Sequence, residues 1–239
     1  MISDIISYIN LKNKTTMKKL LVMALLACSI VANANEKKDS LDNSPWDIHA
    51  YIGWNVATNV PAGMSFAPFK SWNIDLTLVQ YDYTPKGASQ TYSAGLGLGW
   101  RNYTLRDKDM QKFDVNPTTK VITPGTFALG QEDRWSSIHT LSISMPLLFR
   151  QQVGNRLGIS VGAMLNYNVY GRVRNSFEVG DEEYDVKTKG IKYRPFTVDA
   201  MAIFDFDDSA GFYLRYSPMS VLKSEYGPDF KSISFGLYF

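Results

Sequence analysis

The chain has 239 residues, a formal net charge of +2, 13% aromatic residues and 20% charged residues. It is too aromatic and too sparsely charged for a disordered chain, and long enough for one domain with a well-buried apolar layer. Of its 25 basic and 23 acidic residues, four basic and one acidic precede Asn35, which leaves 21 against 22 beyond that point and no electrostatic case for nucleic-acid binding.

Residues 1–16 contain Asp4 and the polar run Lys12-Asn13-Lys14-Thr15-Thr16, and read as an upstream extension outside the fold. Met17-Lys18-Lys19 then introduces the apolar stretch Leu20 to Ala32, and Ala32-Asn33-Ala34 places small residues at both positions that a signal peptidase inspects. Residues 17–34 are therefore expected to be a cleavable signal peptide, with Asn35 as the mature N-terminus and residues 35–45 as a periplasmic segment. The apolar run falls short of the roughly 20 residues that a spanning helix needs. Cys28 is the one cysteine, so an intrachain disulfide is excluded. The sequence Leu25-Leu26-Ala27-Cys28 loosely matches a lipoprotein processing box, but Leu26 and the short apolar run before it fit poorly, and the Ala-Asn-Ala site is preferred.

From Trp46 onward the pattern is two-residue alternation in segments bounded by turn residues, the signature of half-buried strands. Trp46 to Ala57 sets Trp46, Ile48, Ala50, Ile52, Trp54 and Val56 against Asp47, His49, Tyr51, Gly53 and Asn55. Trp72 to Tyr83 follows, blurred at its lower end by Val79 and Tyr81. Thr91 to Leu105 opposes Tyr92, Ala94, Leu96, Leu98 and Trp100 to a face that is nearly all glycine, Gly95, Gly97 and Gly99. The remaining segments are His139 to Arg150, Leu157 to Val173, Arg194 to Phe204, Gly211 to Ser217 and Phe230 to Phe239.

Most segments reach the roughly 9 to 11 residues of a tilted membrane-crossing strand rather than the roughly 5 to 6 of an ordinary one. Connections alternate in length. Thr58 to Ser71, Arg106 to Ser137, Arg174 to Tyr193 and Pro218 to Asp229 are long, whereas Thr84 to Gln90, Gln151 to Arg156 and Asp205 to Ala210 are short. Outer-membrane barrels alternate long external loops with short periplasmic turns. The expected fold for residues 46–239 is therefore all-β, a closed antiparallel transmembrane β-barrel of eight strands with both termini on the periplasmic side.

The terminal segment, with Ile233, Phe235, Leu237 and Phe239 at every second position, resembles the C-terminal signal of bacterial outer-membrane barrels. That resemblance implies that the barrel-assembly machinery reads this strand. The segment Leu141-Ser142-Ile143-Ser144-Met145-Pro146-Leu147-Leu148-Phe149-Arg150, followed by Leu157-Gly158-Ile159-Ser160-Val161-Gly162-Ala163, resembles the Bacteroidota outer-membrane barrels often called PorT-like. What that likeness implies is an eight-stranded fold and a location in the cell outer membrane, among its lipids. The secretion role of some members does not carry over on these residues.

Eight strands enclose an interior just wide enough to be filled by side chains, so Gly95, Gly97 and Gly99 are expected to make room for Tyr51, Tyr103, Tyr170 or Arg101. The ionisable residues expected to face inward are Asp47, His49, Asp75, Arg101, Arg172, Asp199 and Arg215. Buried charges need partners. Folding back about the short turns pairs Asp75 with Arg101 and Asp199 with Arg215, a structural role preferred over acid–base catalysis by Asp75, Asp199 or His49. His139 falls in register with the lipid-facing set near the external rim, and with Ser137 and Glu132 it is the one candidate for a lipid-hydrolysing site, although spacing alone is weak evidence. No P-loop, dinucleotide fingerprint, CxxC or HExxH occurs, so no metal or cofactor is expected. The expectation is a non-enzymatic envelope protein with a structural or surface-binding role, its loops offered to an extracellular ligand and the connection Arg106 to Ser137 its largest surface. The alternatives are a lipid-modifying enzyme, and a narrow channel or secretion-associated barrel.

Overall fold

A computed structural model describes residues 46–107, 110–153, 156–206 and 210–239. The upstream extension, the signal peptide with Cys28 and the segment 35–45 lie outside the described residues. The strands are β1 (Trp46–Thr58), β2 (Trp72–Tyr83), β3 (Gln90–Thr104), β4 (Gln111–Val115), β5 (Ile122–Thr126), β6 (Glu132–Val153), β7 (Leu157–Val179), β8 (Glu182–Lys189), β9 (Phe196–Phe206), β10 (Ala210–Ser217) and β11 (Lys231–Tyr238). Nine form one antiparallel sheet in the order β6-β3-β2-β1-β11-β10-β9-β7-β8. A further β6–β7 pairing joins its two sides, so eight strands are hydrogen-bonded in a ring and β8 is appended to β7. β4 and β5 make a separate hairpin.

The eight ring strands fall on the eight predicted segments, and the alternation read from the sequence is the alternation of burial. In β9, Thr197, Asp199, Met201, Ile203 and Asp205 are buried while their neighbours face out. β10 and the lower half of β11 repeat the pattern. Two regions expected as loops carry strand instead. β6 starts at Glu132, β7 runs on to Val179, and the two stay paired beyond the ring, where β8 adds to β7. Between Arg106 and Ser137 lies the β4–β5 hairpin. Each stretch carries only a short apolar run at alternate positions, such as Phe113 and Val115 in β4 or Tyr184 and Val186 in β8, too few to set a period among the polar residues around them.

Within the ring two bulges shift the faces. In β2 the register jumps between Thr77 and Val79, so Leu78 and Val79 both face out and Gln80 is buried, which accounts for the blurred alternation there. In β7 one extra residue, Val169, stands opposite the step from Leu141 to Ser142. Beyond it every β7 side chain is on the face opposite to the one that simple alternation assigns.

The interior is filled in layers. One apolar cluster joins Tyr51, Leu148, Met164, Met201, Ile203, Tyr213 and Tyr238. A second, at the end of the long connections, includes Phe66, Tyr103, Ile138, Val173 and Phe230, with Phe113 and Ile122 reaching in from the β4–β5 hairpin. Each such side chain contributes on the order of 1.5–3 kcal/mol on burial. Outside, aliphatic residues form a middle band, among them Leu98, Ile143, Met145, Val161 and Leu214. Aromatic pairs bound it at both ends, Trp72–Trp100 and Tyr167–Phe196 toward the long connections, Tyr92–Phe149 and Phe206–Phe212 toward the short ones.

The first and last strands close the ring side by side, with Ile52 opposite Leu237, Trp54 opposite Phe235 and Val56 opposite Ile233. Phe239 continues the ladder past β11, donating to Ala50 at 3.0 Å and accepting from it at 2.8 Å.

Candidate functional site

Asp75, Arg101, Asp199 and Arg215 come from four different strands and meet in one buried cluster between the two apolar layers. Of the two pairs that the turn geometry suggested, Asp199 with Arg215 is present only as the longest of the contacts, and no salt bridge joins Asp75 to Arg101. Arg101 pairs with Asp199 at 2.5 Å and Arg215 with Asp75 at 2.8 Å, while Arg215 Nε stands 4.0 Å from Asp199. The correction has a geometric cause. Across the β2–β3 ladder Asp75 faces Gly99 and Arg101 faces Asn73, so neither charge stands opposite the other. In a closed ring all inward side chains converge on one axis, and a long guanidinium meets carboxylates across the interior as readily as along a hairpin. Asn166 and Asn73 complete the network. Arg101 donates to Asn166 Oδ1 at 3.0 Å, Asn166 Nδ2 donates to Asp199 at 2.9 Å, and Asn73 Nδ2 donates to Tyr213 Oη at 2.7 Å and to Asp75 at 3.2 Å.

Of the β3 glycines, Gly99 makes room for this cluster, and none of the three stands against Tyr51, Tyr103, Tyr170 or Arg101, the neighbours expected. A Cβ on Gly99 would collide with the Asp75 carboxylate and with Ser142 Oγ, and one on Gly97 would strike the backbone of β2. A third interior pair, Arg150 with Asp205 at 2.6 and 3.2 Å, went unread because Asp205 sits at the strand end assigned to a turn. Its signal was Gly158, where any Cβ would meet both partners. His49 accepts or donates at 2.8 Å to Tyr238 Oη and stacks on its ring.

A second constellation lies on the outer face, near the aromatic row of the long connections. A cleft of about 210 Å³ is lined by Trp100, His139, Thr140, Leu141, Tyr170 and Arg172. Tyr170 and Arg172 were expected inside the ring. The Val169 bulge turns both outward, and Arg172 pairs across the ladder with His139, which shares its face with exposed Ile143 and Met145. Bulges commonly re-aim side chains in this way.

Ser137 and His139 are together, with Ser137 Oγ 3.0 Å from His139 Nε2, and Trp135 Nε1 donates to the same Oγ at 3.1 Å. Indole is a donor only, so Ser137 accepts from Trp135, and its hydroxyl either donates to His139 Nε2 or accepts a second proton from it, according to the imidazole tautomer. Glu132 stands seven residues up the strand, roughly 23 Å away at strand rise, opposite Glu178. His139 Nδ1 is buried with no hydrogen-bonding partner, Ser137 is fully buried, and no carboxylate orients the imidazole. A hydrolytic triad needs that third group. Among the described residues no cluster of three or more His, Cys, Asp or Glu is placed to hold a metal ion.

Beyond the ring, Asp185 of β8 accepts from Arg174 at 3.0 and 3.1 Å and pairs with Lys187 at 2.6 Å. Burial alone would raise its pKa, but the two cations outweigh that and hold it below the ordinary aspartate value of 3.8. A depressed folded value means that the stabilisation is complete above 3.8 and disappears as pH falls through the folded value. Amide exchange across β7–β8 is expected to stay slow down to that pH and to quicken below it, a dependence that Asp185→Asn removes.

No protein-family model matches the sequence, and no curated protein matches it significantly.

Proposed function

We propose that this protein is an integral outer-membrane β-barrel of a Gram-negative bacterium, made of the eight ring strands and exported by the leader at residues 17–34. In this reading it is a non-enzymatic envelope protein with a structural or surface-binding role, and its long connections and the β4–β5 hairpin are external and face an extracellular ligand. The observation that carries the reading is the inverted distribution of polarity. Asp75, Asp199 and Arg215 are 0% exposed, whereas Leu98, Leu214 and Phe212 on the outer face are 45, 49 and 58% exposed. A soluble sheet would hide that apolar belt and wet those charges. The aromatic rows at both edges of the belt match the two interfaces of a bilayer, where amphipathic rings settle.

The layered interior argues against a conducting pore, and the unoriented His139 argues against hydrolysis of lipid. The likeness of the last strand to the outer-membrane assembly signal is supported by Phe239, Leu237, Phe235 and Ile233 lying on one outer face at the closing seam. Deleting Phe239 removes two seam hydrogen bonds along with the terminal aromatic. Outer-membrane fractions of the deletion strain are expected to lose most of the heat-modifiable folded species. Recovery of folded protein at parental levels in the cytosol, or in membranes without any heat-dependent mobility, would rule the proposal out.

A further inference from the structure

We infer that the outer-face cleft between β3, β6 and β7 binds the phosphate of a phosphorylated amphiphile, a deeper reading of the membrane surface proposed above and resting on it. Three features converge there. The first is charge. Arg172 lines the cleft, its Nε is buried with no hydrogen-bonding partner, and among the described residues no carboxylate forms a salt bridge with it. The aspartate on that side, Asp185, is already held by Arg174 and Lys187.

The second is a directed donor. His139 is 8% exposed and lines the same cleft, and its Nε2 is engaged with Ser137 Oγ in the Trp135–Ser137–His139 chain. Nδ1 is the atom left without a partner, and with Ser137 donating to Nε2 it carries the ring proton into the cleft. A guanidinium and an imidazole N–H side by side suit an anion with several oxygens, and arginine's planar fork favours phosphate. A buried unpaired donor is costly, so an anion that accepts from both groups gains more than it would at a solvated surface.

The third is the lining. Trp100, Leu141 and Tyr170, with Thr140, form the rest of the wall, and the exposed Val169, Tyr167, Ile143 and Leu98 continue it as an apolar surface. A free inorganic anion gains nothing from that surface, whereas the acyl chains of a lipid lie along it while the headgroup enters the cleft. The cleft sits at the aromatic row, the level at which headgroups lie in the bilayer reading.

The test uses the full chain folded in neutral detergent, with water-soluble short-chain phosphatidic acid, inorganic phosphate and short-chain phosphatidylcholine as probes, and titrations followed by tryptophan fluorescence and native mass spectrometry. Phosphatidic acid is expected to bind with one-to-one stoichiometry and to outcompete both other probes. Arg172→Gln should weaken it roughly tenfold or more, and His139→Phe should weaken it while Lys223→Gln does not. The heat-modifiable mobility of each variant reports folding separately. Equal binding of inorganic phosphate, undiminished binding by folded Arg172→Gln, or release of fatty acid that Ser137→Ala abolishes would each overturn the inference. Because the probe is soluble, a chain that fails to enter membranes refutes the barrel reading without deciding the cleft, and a membrane-inserted chain that ignores phosphatidic acid refutes the cleft alone.

Discussion

Replacing Arg215 with Met is expected to destabilise the folded chain by about 3–5 kcal/mol, the cost of leaving a buried carboxylate without its counter-charge. Asp75 would keep only the amide of Asn73 at 3.2 Å, in a layer that is 0% exposed. Adding Asp75→Asn should restore much of that loss, because the remaining charges, Arg101 and Asp199, already form a balanced pair. The same cycle on Asp75 and Arg101 should show weaker coupling, since no salt bridge joins them. Urea unfolding in detergent, with each variant also scored for folded yield, gives both couplings. A coupling between Asp75 and Arg101 that equals or exceeds the one between Asp75 and Arg215 would mean that the four side chains pair along the hairpins after all.

The second large effect is expected at Gly53, on the inner face of β1. A Cβ there would strike the carbonyl oxygen of Phe235 on β11 and the hydroxyl of Tyr213. The first contact is backbone, which cannot swing aside, and it lies in the seam between the first and last strands. Gly53→Val should therefore wedge that seam open and displace the Tyr213 hydroxyl from Asn73, which donates to it at 2.7 Å. Overpacking of a closed core costs typically about 1–3 kcal/mol, and here the lost hydrogen bond adds to it. Loss of most heat-modifiable species in Gly53→Val, beside an unaffected Val56→Ile on the outer face of the same strand, is the expected pattern. A Gly53→Val chain that folds and resists urea like the parent would show that the seam yields.

Which side chains face in was legible from the sequence for most strands, because a period of two is a local property and survives any choice of partner strand. Which inward groups touch was not. Asp199 and Arg101 lie 98 residues apart and meet only because the ring closes, a fact with no local signature. The faces themselves failed at a bulge, since nothing in Asn168-Val169-Tyr170 marks an inserted residue, and one insertion exchanges the sides of everything after it. Arg172 was therefore read as an interior charge, and the cleft it forms with His139 was invisible. The glycines carried more information than they yielded. Gly99 and Gly158 each stand beside a buried carboxylate, yet composition alone cannot tell room for a side chain from room for a neighbouring backbone.

A closed ring has no free edge, but β8 restores one. It pairs with β7 along one side, and among the described strands none pairs with the other. An unpaired edge is a template on which a second copy or an extended peptide could add a strand. The charged residues along this one are Glu182, Glu183 and Asp185 toward one end and Lys187 and Lys189 toward the other, with Tyr184 and Val186 exposed among them. Such a border suits an antiparallel strand of the same charge order, whose acidic end would lie against the basic end here. The ring itself admits no further strand, and the β8 edge, which does, selects by charge order what can extend the sheet.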